Sequence, residues 1–230
     1  MSVCIFLTVR IGSSRLPQKA LLEANGETVT EILIKRLKKC NLPIIICTTD
    51  TPEDRKYLKP LVDKYELGYH EAPEGNIIKQ HLNACNEFNV DYVILSEIDD
   101  WLVCPETINA VHYQAKYLKY KTAVKTTGLP YGMNVISYPK ANLEAATFTG
   151  STGWGIYVTE NAFVLKFNYN RPYSLSMDCL HDAILMKNVY QNCKRNLLVG
   201  GICDYLEKHP EVAEMNSCYD EEYWKNIKEG

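Results

Sequence analysis

The chain lacks the long apolar stretches and the targeting segment of membrane and secreted proteins. None of its apolar runs approaches the about 18 residues that a membrane-spanning helix needs. The first residues, MSVCIFL, have neither the basic start nor the small-residue cleavage site of a signal peptide. We therefore expect a protein of the cytoplasm with no membrane partner.

The cysteines lack the spacing of a disulfide framework or of a zinc site. There are 9 of them, an odd number, and no two form a C-x-x-C pair. Several lie inside apolar runs, where a thiol packs as a small hydrophobic group. We expect reduced thiols, which again indicates the cytoplasm.

The chain also has little net charge. Its 25 Lys and Arg residues against 28 Asp and Glu residues give a formal net charge of -3. This balance argues against the broad basic surface that holds nucleic acid or an anionic membrane. We expect no nucleic acid partner, so any anion must be bound by a local cluster of cations.

Apolar runs alternate with amphipathic stretches over the first half of the chain. The pattern predicts strands at 3–9, 42–48, 90–98 and 122–127, and helices at 28–39, 52–65, 74–88 and 105–118. It therefore predicts an α/β fold with a mostly parallel sheet flanked by helices, whose ligands bind at the carboxyl ends of the strands.

After residue 128 the alternation is less regular. We predict a small excursion hairpin at 131–138, helices at 140–147 and 179–190, a strand at 173–177, and a helical tail over 210–230. No internal repeat or Gly-, Pro- or Ser-rich linker divides the chain. We expect a single domain over residues 1–230.

The segment after the first predicted strand, RIGSSRLPQK, is rich in groups that bind anions. The glycine lets backbone N–H groups converge, the serines donate hydroxyls, and the cations supply charge. These groups are Arg10, Gly12, Ser13, Ser14, Arg15 and Lys19. Neither G-x-x-x-x-G-K-[ST] nor G-x-G-x-x-G is present. Composition alone leaves two alternatives, a phosphate-binding loop or a solvated basic connection.

Residues 10–21, RIGSSRLPQKAL, resemble the N-terminal signature of the cytidylyltransferase family. This family includes the spore-coat polysaccharide biosynthesis type and the synthetases of CMP-activated acidic sugars. Three later parts of the chain are also similar to it, so the resemblance spans most of the sequence. They are CTTDTPED from Cys47, Asp99 after the third predicted strand, and LSMDCLHD from Leu175.

The resemblance implies a single Rossmann-like nucleotidyltransferase domain, in which an acidic acceptor attacks the α-phosphate of CTP and pyrophosphate leaves. It implies that Mg²⁺ is the cofactor and that Asp99 and Asp178 hold it. Carboxylates at the ends of predicted strands are ligands of the kind that Mg²⁺ prefers. The implied phosphate-binding and catalytic residues are Arg10, Arg15 and Lys19. The implied nucleotide-binding residues are Val9, Arg10, Gly12, Ser13, Ser14, Thr49, Asp50, Asn76 and Gln80. Such proteins act in surface-polysaccharide or related biosynthesis and often pair as homodimers.

The chain departs from the family pattern in two places that bear on the substrates. Asn76 and Gln80 stand where relatives usually carry an Asp and an Arg. Asn76 has two interpretations, a residue that reads the base edge or one that caps the following helix. The family's Gly-x-Asp-x-Glu segment reads Gly132-Met133-Asn134-Val135-Ile136 here.

These departures leave the acceptor side open. The candidate acceptor contacts are Asn134, Trp154, Tyr157 and Asp182. For the two aromatic residues, packing in the core is the alternative. The leading hypothesis is transfer of CMP from CTP to a small anionic acceptor, such as an acidic sugar or a phosphorylated or phosphonate-like compound. The alternatives are the same fold using another nucleotide, and a nucleotide-binding regulatory protein without turnover.

Overall fold

A computed structural model of the chain describes residues 1–148, 158–169, 172–193 and 196–217. In this part of the chain a seven-stranded sheet has helices packed on both faces. The strands of the sheet are β1 (Val3–Thr8), β4 (Ile44–Thr49), β5 (Gly68–Ala72), β6 (Tyr92–Glu97), β7 (Val124–Thr127), β8 (Ile136–Pro139) and β9 (Phe163–Lys166). A separate short hairpin is formed by β2 (Glu23–Ala24) and β3 (Glu27–Thr28).

The strand order is β5-β4-β1-β6-β8-β7-β9. The pairs from β5 to β6 are parallel, β8 is antiparallel to both its neighbours, and β9 is parallel to β7. The first strand lies inside the sheet between β4 and β6, and its residues Ile5, Phe6 and Leu7 have no exposed surface. Its continuous apolar run is typical of a strand that is covered on both faces.

The described helices are α1 (Val29–Leu37), α2 (Pro52–Tyr65), α3 (Ile77–Phe88), α4 (Pro105–Tyr117), α5 (Lys140–Phe148), α6 (Leu180–Asn192), α7 (Val199–Lys208) and α8 (Pro210–Ala213). Helices α3 and α5 cover one face of the sheet, and the larger core on the other face includes α1, α4, α6 and α7. Thr28 caps the start of α1, since its side chain accepts a hydrogen bond from the Glu31 amide at 3.2 Å. None of these helices has the length and apolar character needed to cross a bilayer.

The α/β fold with a mostly parallel sheet is confirmed, but the second half differs from its predicted elements. Residues 136–138 of the predicted excursion hairpin belong to β8 inside the main sheet, where Ser137 Oγ lies 2.9 Å from the Tyr92 hydroxyl. The predicted strand at 173–177 is reduced to a single bridge between Tyr131 and Ser174. The sequence patterns do not predict β5, β9 or α7. Of the predicted tail, the described part contains α8, and residues 218–230 lie outside the described residues.

Candidate active site

A cavity of about 410 Å³ opens at the carboxyl ends of β1, β4 and β6. Parallel strands present their ligand sites at this edge of a sheet. The loop after β1 forms one wall, and the start of α3 forms another. The predicted nucleotide and phosphate residues that line it are Val9, Arg10, Ser13, Ser14, Arg15, Lys19, Thr49 and Gln80.

Lys19 and Asp99 form an ion pair in the wall of this cavity. The Lys19 side chain is only 6% exposed, and its Nζ also donates to the Met177 carbonyl at 3.4 Å. Asp99 lies in the turn that follows β6, so its carboxylate stands at the end of that strand. A buried ammonium held by a carboxylate and a carbonyl is fixed in position, in contrast to the mobile lysine of a solvated loop.

Asp178 lies beside this pair, although it is far away in the chain. The Met177 amide donates to the Asp99 carbonyl at 2.8 Å, which brings the segment before α6 against the end of β6. Arg15 contacts both carboxylates, with Nη1 2.6 Å from Asp178 Oδ1 and Nη2 3.7 Å from Asp99 Oδ2. Burial raises the pKa of Asp178, and the Arg15 charge opposes that shift. The structure therefore brings together the four residues Arg15, Lys19, Asp99 and Asp178.

The carboxylates of Asp99 and Asp178 fit the requirements of Mg²⁺. Both already contact the Arg15 guanidinium, so both face the same cation position. Within the described residues no group of three or more His, Cys, Asp or Glu side chains is arranged to hold a metal ion. Mg²⁺ is commonly bound by one or two carboxylates together with phosphate oxygens and water. The two aspartates match that pattern.

Asp54 anchors the loop, a role that the sequence analysis does not assign. Its side chain is fully buried. Oδ1 accepts from the Ile11 amide at 2.7 Å, and Oδ2 accepts from the Thr49 hydroxyl. Because the loop is tied to the end of β4, the anion-binding groups keep their place over the cavity. The spacing Thr51-x-x-Asp54 at the start of α2 is a capping pattern, and it is the signal that marks Asp54 in the sequence.

Arg10 and Glu74 form an ion pair between two walls of the cavity, and both side chains are substantially exposed. Gln80 lines the same cavity, and its Nε2 donates to the Pro73 carbonyl at 2.7 Å. Asn76, by contrast, is the N-cap of α3, since its Oδ1 accepts from the Lys79 amide at 3.1 Å. Of the two interpretations, the geometry matches the cap, because Asn76 makes the capping hydrogen bond and is not among the residues that line the cavity.

Two other predicted nucleotide residues lie near the cavity without lining it. Asp50 has an exposed side chain, and its amide donates to the Ala72 carbonyl at 3.1 Å, which extends the pairing of β4 with β5. Gly12 is exposed at the tip of the loop, and a Cβ there would meet no heavy atom within 4 Å. The space beside the loop is therefore open at Gly12, and neither a close contact nor a left-handed backbone requires glycine there.

A buried polar network lies beneath the cavity. His81 of α3 has no exposed surface, and its Nε2 lies 3.1 Å from Thr8 Oγ1 while Nδ1 lies 3.0 Å from the Tyr138 hydroxyl. Thr8 itself lines the cavity. Burial lowers the pKa of His81 to about 3, so the ring is neutral at physiological pH. The network supports the cavity floor without adding charge to it.

A second cavity of about 290 Å³ adjoins the first. Arg15, Glu97 and Asp99 line both, so the two cavities meet at the four-residue cluster. Asn134, predicted as an acceptor contact, lies in its wall. Gly132 also lines it with φ at 81°, and a Cβ there would overlap the Leu175 carbonyl. Glycine is therefore required at this close approach of two chain segments.

The structure does not support the predicted acceptor role of Asp182. Asp182 is 5% exposed and lines neither cavity. Its carboxylate accepts hydrogen bonds from backbone amides at the start of α6 and from the side chain of Asn216, so it has no free oxygen facing a substrate. Trp154 and Tyr157, the aromatic candidates, lie outside the described residues.

Comparisons with known proteins assign the fold of the chain to a known class. No family model matches the chain. An uncharacterized protein of Methanocaldococcus jannaschii is 24% identical over 247 aligned residues, which cover 100% of both chains. A cytidylyltransferase from Leptospira borgpetersenii serovar Hardjo-bovis has a similar structure, with a TM-score of 0.83 and 19% identity over 93% of this chain and 97% of that one.

A second solved structure is that of CMP:2-keto-3-deoxy-manno-octonic acid synthetase, determined with CTP bound. It matches with a TM-score of 0.65 and 11% identity over 83% of this chain and 99% of that one. The predicted resemblance to cytidylyltransferases is thus confirmed for the fold. The chain has the α/β nucleotidyltransferase fold.

Proposed function

We propose that this chain is a Mg²⁺-dependent nucleotidyltransferase that transfers CMP from CTP to a small anionic acceptor and releases pyrophosphate. One observation carries the proposal: Arg15 and Lys19 of the first loop contact Asp99 and Asp178 where the two cavities meet. Phosphate-binding cations and metal-binding carboxylates are the two sets of groups that this reaction needs at one point. The fold shared with cytidylyltransferases supports the same conclusion.

The loop after β1 would bind the triphosphate. Arg15 offers a planar guanidinium that can contact two phosphate oxygens, and Lys19 offers a fixed point charge. Ser13 and Ser14 line the same wall and add hydrogen-bond donors. Arg10 would exchange Glu74 for phosphate when the nucleotide enters, because the exposed pair between them is weak.

Asp99 and Asp178 would hold Mg²⁺ together with triphosphate oxygens. When bound, the ion neutralises charge that develops on the α-phosphate and on the leaving pyrophosphate. With the carboxylates engaged by the metal, the charges of Lys19 and Arg15 would be available to the phosphates. No protein nucleophile is required, since an acceptor oxygen attacks the α-phosphorus directly.

The second cavity would hold the acceptor. Its described lining residues include one cation, Arg15, the neutral hydrogen-bonding groups of Asn134 and Ser176, and four carboxyl groups, those of Glu97, Asp99, Asp100 and Asp178. We propose a small acceptor whose anionic group binds Arg15 and whose hydroxyl groups donate to the carboxylates, such as an acidic sugar, a sugar phosphate or a phosphonate. Two of the carboxylates, Asp99 and Asp178, would be engaged by Mg²⁺ when the ion is bound. In cells we propose a cytoplasmic role in surface-polysaccharide or related biosynthesis, as a single domain that pairs as a homodimer. The eight described cysteines are free thiols, which supports a reducing compartment.

The test is pyrophosphate release by the purified protein with Mg²⁺, each of the four common nucleoside triphosphates, and a panel of acidic sugars, sugar phosphates and phosphonates. We expect release with CTP and one acceptor class, and none with the Lys19→Met variant. If CTP binds but no acceptor supports release, the protein is a nucleotide-binding regulator. If another triphosphate is preferred, the proposal of CTP is wrong, and if none binds, the proposed function fails entirely.

A further inference from the structure

Asn216 is a buried amide in the turn that follows α8, and it is only 2% exposed. No pattern in the sequence marks it. Its two amide hydrogens have separate acceptors: Nδ2 lies 2.7 Å from Asp182 Oδ1 and 3.2 Å from the Ser174 carbonyl. Both donors of the side chain are therefore used inside the protein.

Asp182 connects this amide to the cluster. Its Oδ2 accepts from the amide of Asp178 at 2.9 Å and from the amide of Cys179 at 2.8 Å. One carboxylate oxygen therefore holds the backbone at Asp178 while the other is held by Asn216. Because Asp182 is 5% exposed, water cannot readily replace Asn216 as the partner.

The second acceptor of Asn216 lies in the same segment. Ser174 pairs with Tyr131, which lines the second cavity, and the Leu175 amide donates to the Tyr131 carbonyl at 2.9 Å. The segment from Ser174 to Cys179, which includes Asp178, is therefore held by Asn216 at both ends. The contact is direct at Ser174, and at Asp178 and Cys179 it passes through Asp182. A shift of Asn216 would affect both ends of this segment.

We propose that Asn216 is a positioning residue that, through Asp182, sets the place of the Asp178 carboxylate for Mg²⁺. This inference rests on the proposed function, in which Asp178 holds the metal. Groups outside the ligand shell that orient a metal ligand change metal affinity by about 10- to 100-fold when they are removed. The C-terminal part of the described chain thereby contributes to the same site as the phosphate-binding loop, which lies near the start of the sequence.

The test compares CTP binding in Mg²⁺ with CTP binding in EDTA, by titration calorimetry. For Asn216→Ala we expect the dissociation constant in Mg²⁺ to rise about tenfold, while the constant in EDTA stays within about twofold of wild type. A general loss of structure would raise both constants. The matched control is Asn188→Ala on α6, the helix that also carries Asp182. It removes the 2.7 Å hydrogen bond that the Tyr205 hydroxyl of α7 donates to Asn188 Oδ1. The control should leave both constants unchanged.

The proposal is overturned if Mg²⁺ increases the CTP affinity of the folded Asn216→Ala variant as much as it does for wild type. It is also overturned if Asn188→Ala loses as much of this increase as Asn216→Ala does. Should Asn216→Ala fail to fold, Asn216→Ser keeps a hydroxyl donor that is too short to reach both acceptors. The same loss of the Mg²⁺ gain is expected for it. If wild type itself binds CTP no better in Mg²⁺ than in EDTA, the proposed function has failed, and this inference fails with it.

Discussion

Replacing Asp99 by asparagine should make the protein bind metal-free CTP more tightly. In the free protein Asp99 neutralises Lys19 and lies 3.7 Å from Arg15, so these cations are already occupied when a triphosphate arrives. Without metal, the triphosphate must displace the carboxylate and then remain beside its negative charge. The Asp99→Asn variant removes that competition but keeps the size of the side chain.

The size of the effect follows from the burial of the pair. The Lys19 side chain is 6% exposed and that of Asp99 is 24% exposed, so solvent screens their contact only in part. A hydrogen bond to a charged group contributes about 1.5–3 kcal/mol, which corresponds to a roughly 10- to 150-fold change in affinity. Arg15 adds little to this figure, since its side chain is 54% exposed.

The assay is calorimetric titration with CTP, first in EDTA and then in Mg²⁺. Asp99→Asn should bind more tightly than wild type in EDTA and should gain little from Mg²⁺, because one of the two metal ligands is lost. The matched control is Asp91→Asn, the same substitution just before the opposite end of β6, where the carboxylate accepts from the Ser2 amide at 2.8 Å. If the folded Asp99→Asn variant binds metal-free CTP no better than wild type, the triphosphate does not bind at Lys19, and the assignment of the loop is wrong.

Three further predictions concern single side chains. Lys19→Met should weaken CTP binding in Mg²⁺ by about 1.5–3 kcal/mol in calorimetry with little loss of packing, whereas Lys35→Met on α1 should have no effect. Asn76→Asp should leave the ranking of CTP, UTP and GTP unchanged in a competition assay, because aspartate caps a helix equally well. A changed ranking would place residue 76 at the base. The free energy of unfolding of the wild type, measured with urea, should fall by about 2 kcal/mol between pH 8 and pH 5 because of His81. The unfolded chain takes up a proton on this residue below pH 6.5, whereas the buried ring of the folded protein does not. His81→Phe should remove that part of the pH dependence, and an unchanged slope would show that His81 is not buried in its neutral form.

The first half of the fold could be predicted because each of its elements has a strong local pattern. The apolar runs before residues 9, 48 and 98 became β1, β4 and β6, with small differences at their ends. Strand β5 reads GYHEA, which has neither an apolar run nor a clear alternation, and it is a strand because β4 offers it an edge. The insertion of β8 between β6 and β7 depends on pairing between distant segments, which no local pattern reports.

The residues of the site also divide into those that a local sequence pattern marks and those that only the tertiary structure identifies. Asp99 could be predicted at this edge of the sheet because it follows the apolar run that forms β6. Asp178 follows no strand of the sheet; the hydrogen bond from the Met177 amide to the Asp99 carbonyl brings it there, and the resemblance to the family is what marks it in the sequence. The cap at Asn76 and the anchoring by Asp182 are decided by which donors lie near each side chain after folding. Asn216 carries no sequence signal, because its two partners come from segments that only the tertiary structure brings close.

The position of β1 between β4 and β6 has a consequence for the growing chain. This strand is made before the other strands of the sheet, yet its two neighbours are β4 and β6, and the second is complete only at residue 97. Synthesis therefore passes through a stage in which the most apolar strand has one uncovered edge. Such an edge is a template for pairing with other chains, and pairing between distant segments forms slowly. We expect shelter by chaperones to matter most for this protein before β6 leaves the ribosome.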